Sequence, residues 1–127
     1  MKIKISNGEL LDKISILELK MLNITDKDKL VNINNEFNEL NPFVHDLFDK
    51  YGPEIQELYL NLSKINGQLW TIEDDIRECE RCAQFGDVFV ELARSVYITN
   101  DKRCDVKKEI NILIESGLIE EKSYEKY

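Results

Sequence analysis

Carboxylates crowd the stretch from Glu73 to Glu80, where Glu73, Asp74, Asp75, Glu78 and Glu80 follow closely on one another. Aligned side chains of this kind can hold Mg²⁺, which takes one or two protein carboxylates and completes its shell with oxygens of a phosphorylated ligand. A solvated helix face is the plainer reading, since Glu73–Arg77 and Glu78–Arg81 stand at the spacing of helical ion pairs, worth roughly a few tenths of a kcal/mol each. Trp70 shifts the weighing. It falls on the same side as Glu73, Asp74 and Arg77, and an indole there must be covered by another element, a second subunit or a ligand.

A second group is Asn100-Asp101-Lys102-Arg103, with Lys107 one turn further on. Thr99-Asn100-Asp101 reads as the cap of a helix, which puts Lys102 and Arg103 in its first turn, where cations oppose the macrodipole. A locally broken rule points to function: free N–H groups, a guanidinium and an ammonium at a helix start make a site for phosphate or carboxylate. In the bland reading Asp101 neutralises the dipole and Arg103 pairs with an acidic residue of the long helix. The sharpest expectation joins the two groups. The helix starting near Asn100 meets the Trp70–Arg77 face, and Glu73 and Asp74 orient Arg103 or Arg94 in one polar site.

Other residues carry weaker signals. Cys79 and Cys82 form C-x-x-C near a helix end, where no dipole lowers a thiol pKa, and no second pair completes a zinc site. His45, the only histidine, has no nucleophile nearby in the motif blocks and reads as a surface or core residue. Glu9, Asp12 and Glu18 make one side of the first helix acidic, and Glu9 has a capping role that suffices to explain it. No glycine-rich phosphate loop or nucleophile elbow is present.

The elements that position these residues are helical. Ile55, Leu58, Leu62, Ile65, Leu69, Ile72, Ile76 and Cys79 recur at alternating spacings of three and four. That heptad pattern predicts one long helix from Glu54 to Ala83, roughly 45 Å at 1.5 Å per residue. Ser6-Asn7-Gly8-Glu9 reads as a capping box opening a helix striped by Leu10, Ile14, Leu17, Met21 and Ile24. Thr25 or Asp26 caps a second helix through Leu30, Ile33, Phe37 and Leu40, which Asn41-Pro42 breaks before a short helical turn up to Lys50. Tyr51-Gly52-Pro53 is a turn into the long helix, and Gly67 within it marks close packing or a bend. Phe85-Gly86-Asp87 ends the long helix and caps a fourth, which returns along it. The fifth helix starts near Asn100 and ends at Gly117, before a charged tail in which Leu118, Ile119 and Tyr124 can dock. Lys-Ile-Lys-Ile at positions 2–5 is a short strand signal or an extended arm.

The 127 residues suit one domain spanning 1–127, and 43% apolar content with helical periodicity excludes disorder. A net charge of −8 argues against broad contact with nucleic acid or anionic lipid while leaving room for a local basic pocket. No apolar run long enough to span a membrane and no signal-like opening is found, and three cysteines fit free thiols, so a cytoplasmic protein is expected. Trp70 and Tyr59 lie off the heptad stripe and leave more apolar surface than short helices cover, which predicts a homodimer.

Three blocks carry a resemblance: Gly8-Glu9-Leu10-Leu11-Asp12-Lys13-Ile14; Leu69-Trp70-Thr71-Ile72-Glu73-Asp74-Asp75-Ile76-Arg77; and Ala93-Arg94-Ser95-Val96-Tyr97 followed by Asn100-Asp101-Lys102-Arg103. With Glu120-Glu121-Lys122-Ser123-Tyr124 they resemble a family of small uncharacterised proteins from bacteria and their phages, over nearly the whole chain. The resemblance implies no reaction; it implies an association with genes for surface-sugar synthesis and adds Tyr97 to the residues of interest. The reading is thus an all-α antiparallel helical bundle on one long central helix, with room for a short N-terminal strand. Its candidate ligand-binding residues are Trp70, Glu73, Asp74, Arg77, Arg94, Tyr97, Asn100, Asp101, Arg103 and Lys107. The expected function is a non-catalytic binding or accessory protein for an anionic small molecule or a partner protein, without cofactor. The alternative is an Mg²⁺-dependent phosphohydrolase of nucleotides or nucleotide sugars, with Glu9 and Asp12 supplying a second E-x-x-D pair.

Overall fold

The computed structural model describes residues 1–114 together with 123 and 126. Its elements are α1 (Asn7–Asn23), α2 (Lys27–Arg81) and α3 (Asp87–Ile114). The chain is an all-α bundle on a long central helix. The expected helix end at Gly117 and docking of Leu118, Ile119 and Tyr124 lie outside the described residues.

Local chemistry sets the helix starts. The Ser6 hydroxyl accepts from the Glu9 N–H at 3.1 Å, and Asp26 Oδ1 accepts from the Lys29 N–H at 3.1 Å. Each satisfies a backbone donor that the first turn leaves unpaired. The heptad stripe is the face turned inward: Ile55, Leu62, Ile65, Leu69 and Cys79 are buried. The core also takes Leu11, Ile14 and Leu17 from α1 and Val106, Ile110 and Ile114 from α3.

Three expectations are corrected. Residues 1–5 carry no regular secondary structure and are exposed; an unpaired strand would leave its backbone groups without a ladder. Helix does not stop at Pro42, which lies exposed inside α2. A proline in a helix interior costs about 3 kcal/mol, but burying one aliphatic side chain contributes roughly 1.5–3 kcal/mol, and Ile33 and Val44 are buried on either side of it. The kink comes instead at Gly52 (φ 62°, ψ −142°), a conformation open to glycine, with Pro53 preset to restart the helix. Nor does the chain break at Thr99-Asn100-Asp101, so the two expected helices are the single α3.

The turn between α2 and α3 also differs from expectation. It closes on Ala83 (φ 52°) rather than on a glycine. Gln84 N–H donates to Cys79 O at 2.8 Å and Ala83 N–H to Glu80 O at 3.1 Å, the paired bonds of a Schellman cap. Gly67 is not a contact that only glycine permits, since an added Cβ would sit 4.0 Å from Leu19 Cδ2. Gly8 is such a contact: a Cβ there would lie 2.5 Å from Lys107 O. Its N–H donates to Asn111 Oδ1 at 2.7 Å, which brings α1 and α3 into backbone contact.

Candidate functional site

Asn66, Leu69, Trp70, Glu73, Asp74 and Arg77 follow one another at spacings of one, three or four along α2 and share a side of the helix. Asn100 and Arg103, three apart on α3, and Ile16 and Leu19, three apart on α1, complete the walls of a cleft of about 380 Å³. Six of the residues nominated from sequence line it: Trp70, Glu73, Asp74, Arg77, Asn100 and Arg103. The expected meeting of the Asn100 segment with the Trp70–Arg77 face is therefore present. It arises because α3 returns along α2 after the turn at residues 82–86.

The chemistry of the meeting differs from the expectation. Asn100 to Arg103 lie in mid-helix, so their backbone N–H groups belong to the helical ladder, and among the described residues no helix N-terminus lines the cleft. Arg103 is oriented by Asp12, not by Glu73 or Asp74. Its Nε donates to Asp12 Oδ1 at 2.8 Å and its Nη2 to Asp12 Oδ2 at 2.5 Å, a two-pronged fit that fixes the guanidinium plane. Asn100 Oδ1 stands 3.5 Å from Arg103 Nη1.

Behind the cleft wall this pair belongs to a buried network. Asn66 Nδ2 donates to Asp12 Oδ1 at 3.0 Å and to Ser15 Oγ at 2.7 Å, and Ser15 Oγ donates to Asp12 O at 2.8 Å. Asp12, Ser15 and Asn66 are each at most 4% exposed. Lys107, also buried, donates to Glu9 Oε2 at 2.8 Å. Burial pushes the Asp12 carboxyl up, but hydrogen bonds from Arg103 and Asn66 and the charges of Arg103 and Lys107 outweigh it and hold the pKa below its ordinary value. Tyr59 donates to Glu18 Oε1 at 2.6 Å, and burial followed by that carboxylate raises its phenol well above the usual range. Tyr59 is thus covered within the chain, which removes one of the two grounds for a dimer.

The other nominated residues fall elsewhere. Arg94 is exposed and pairs with Glu91 at 3.0 Å. Tyr97 is exposed and neither it nor Arg94 lines the cleft. Asp101 is half-buried and Lys107 is turned to Glu9. Glu9 and Asp12, the E-x-x-D pair of the Mg²⁺ reading, are answered by Lys107 and Arg103, so each carboxylate already faces a cation. Glu73 and Glu78 pair with Arg77 and Arg81 along the helix surface, and among the described residues no cluster of three or more acidic, His or Cys side chains is gathered as for a metal. Cys79 is buried and Cys82 exposed, and the neighbouring Glu78 raises the Cys82 thiol, which disfavours a reactive thiolate.

Sequence reasoning passed over Ser15, Asn66 and Asn111 as site material, and raised Asp12 only as half of an E-x-x-D pair for Mg²⁺. The available signal was polar residues, Asp12 and Ser15, placed between the apolar stripe positions of α1. Such residues face a core only when a partner helix brings their hydrogen bonds.

Among the described residues, fold and site together define a three-helix bundle with a polar network binding its helices and a lined cleft at its edge. The chain belongs to a family of unknown function, DUF6165, whose model matches residues 1–127. Neither the curated proteins nor the solved structures hold a match to it.

Proposed function

We propose that this protein is a non-catalytic binding protein that holds an anionic small molecule in the Trp70 cleft. The observation that carries the reading is convergence: residues distant in sequence, Trp70 with Arg77 and Asn100 with Arg103, line one cleft, and Arg103 is held in place by a buried carboxylate. An aromatic face, three aliphatic side chains (Ile16, Leu19, Leu69) and two guanidinium groups, together with the carboxylates of Glu73 and Asp74 and the amides of Asn66 and Asn100, make a concave site of the volume that small ligands use. Preorientation of Arg103 by Asp12 lowers the ordering cost of gripping an anion.

The test is a thermal-shift screen of pyrophosphate, nucleotides and nucleotide sugars, with and without Mg²⁺. A ligand at 100 times its Kd stabilises by about 2.7 kcal/mol. Stabilisation that vanishes in Arg77→Ala supports the cleft. Turnover of a nucleotide only with Mg²⁺ would instead favour the phosphohydrolase, which retains Glu73 and Asp74 as carboxylates on the cleft.

An accessory role in surface-glycan synthesis, in the cytoplasm of a bacterium or in a phage-infected cell, is the setting we attach to this binding role, on the sequence resemblance alone. Self-association is part of the same proposal. Its support is the apolar surface of Phe85, Val88 and Val90, all exposed near the α2–α3 turn, and light scattering that finds a monomer at tens of micromolar removes it.

A further inference from the structure

The Asn66 amide adds a requirement that the guanidinium groups do not. Asn66 is 4% exposed and lines the cleft. Its orientation is fixed, because an ionised carboxylate can only accept and Asp12 Oδ1 therefore faces Nδ2. Both hydrogen bonds of the side chain are made by Nδ2, to Asp12 and Ser15. Among the described residues Oδ1 accepts none, and it is not sealed from solvent. A nearly buried residue of the cleft wall thus keeps a carbonyl acceptor unused, in a direction the network sets.

From this acceptor, the indole of Trp70 and the two guanidinium groups, we infer that the cleft takes a flat, N–H-bearing ring joined to an acidic group, the pattern of a nucleotide. The ring packs on Trp70 and donates its N–H to Asn66 Oδ1, while the acid lies toward Arg77 and Arg103. This rests on the reading of the cleft as an anion-binding site and specifies what else its ligand must carry. A bare anion leaves the Asn66 carbonyl to water and Trp70 half-buried. A flat ring without a donor covers the indole but shuts the carbonyl away unpaired, which is the costly arrangement.

The experiment changes the ligand, so the folded protein stays intact. Uridine monophosphate, its N3-methyl derivative and pyrophosphate are titrated into the full chain by calorimetry, with and without Mg²⁺. Uridine monophosphate is expected to bind, and the N3-methyl compound at least tenfold more weakly, because methylation removes the one N–H of the ring. Equal affinity for the two uridine compounds overturns the inference and leaves the anion site standing. So does binding of pyrophosphate with no binding of uridine monophosphate. Absence of binding by all three overturns the anion site itself.

Discussion

Ion pairs of the same chemistry sit in two settings in this molecule. Where α1 crosses α2 and α3, Asp12–Arg103 and Glu9–Lys107 connect residues 91 and 98 positions apart, and the Asp12 side chain is 2% exposed. On the outer part of the α2–α3 pair, Arg77–Glu73, Arg81–Glu78 and Arg94–Glu91 connect neighbours on one helix, with every side chain at least 47% exposed. Between Trp70 and Ile98 only Cys79 is buried. The inner pairs hold different helices together in a poorly hydrated place; the outer ones compete with water and decorate a helix that would form without them. The cleft draws on both settings: Arg103 reaches its wall from a buried pair, and Arg77 from an exposed one.

The comparison breaks most visibly at Asp12. Asp12→Ala leaves Arg103 without its partner in a part-buried position, and a loss of about 3–5 kcal/mol is expected in urea unfolding. A loss near that of a surface pair would place the two regions on the same footing. Gly8→Ala tests the close approach of α1 and α3 without touching a charge. The added methyl meets Lys107 O at 2.5 Å, and an overpacking cost of about 1–3 kcal/mol is expected from the same measurement.

Acid sharpens the contrast through one group. The folded-state pKa of Asp12 is depressed, so its contribution is complete above its unfolded value, near about 3.9, and is lost as pH falls through the lower folded value. Unfolding free energies measured from pH 5 downward should fall more steeply for the native chain than for Asp12→Asn, in which this group no longer titrates. Equal slopes would mean the pair adds no proton linkage.

The outer region answers with smaller numbers. Ala83→Gly relieves a left-handed residue in the cap of α2, and a gain of about 1 kcal/mol is expected as a rise in Tm. Glu78→Gln removes a pair of 2.6 Å whose side chains are 70% and 55% exposed. Its effect should stay within about 0.5 kcal/mol and shrink further in high salt.

Much of this was legible in the sequence. The alternating spacing from Ile55 to Cys79 requires a helix with one buried stripe, because no other backbone puts those side chains on one face. Ser6 and Asp26 named their helix starts through hydrogen bonds made within one turn. The convergence of Trp70, Glu73, Asp74 and Arg77 with Asn100 and Arg103 was legible as well, since helices joined by a short turn must run back along each other. What local rules could not supply was the outcome of competition with packing. Pro42 and the Thr99-Asn100-Asp101 signal both favour a helix break, yet Ile33, Val44, Thr99 and Val106 are buried in helices that continue. Propensity is worth a few kcal/mol at most, and burial of a helix face exceeds it. The partner of Arg103 lay furthest out of reach. Glu73, Asp74 and Asp12 are equally good carboxylates by type. Only the crossing of α1 over the other two helices placed Asp12, and not the others, where it could grip the guanidinium out of water.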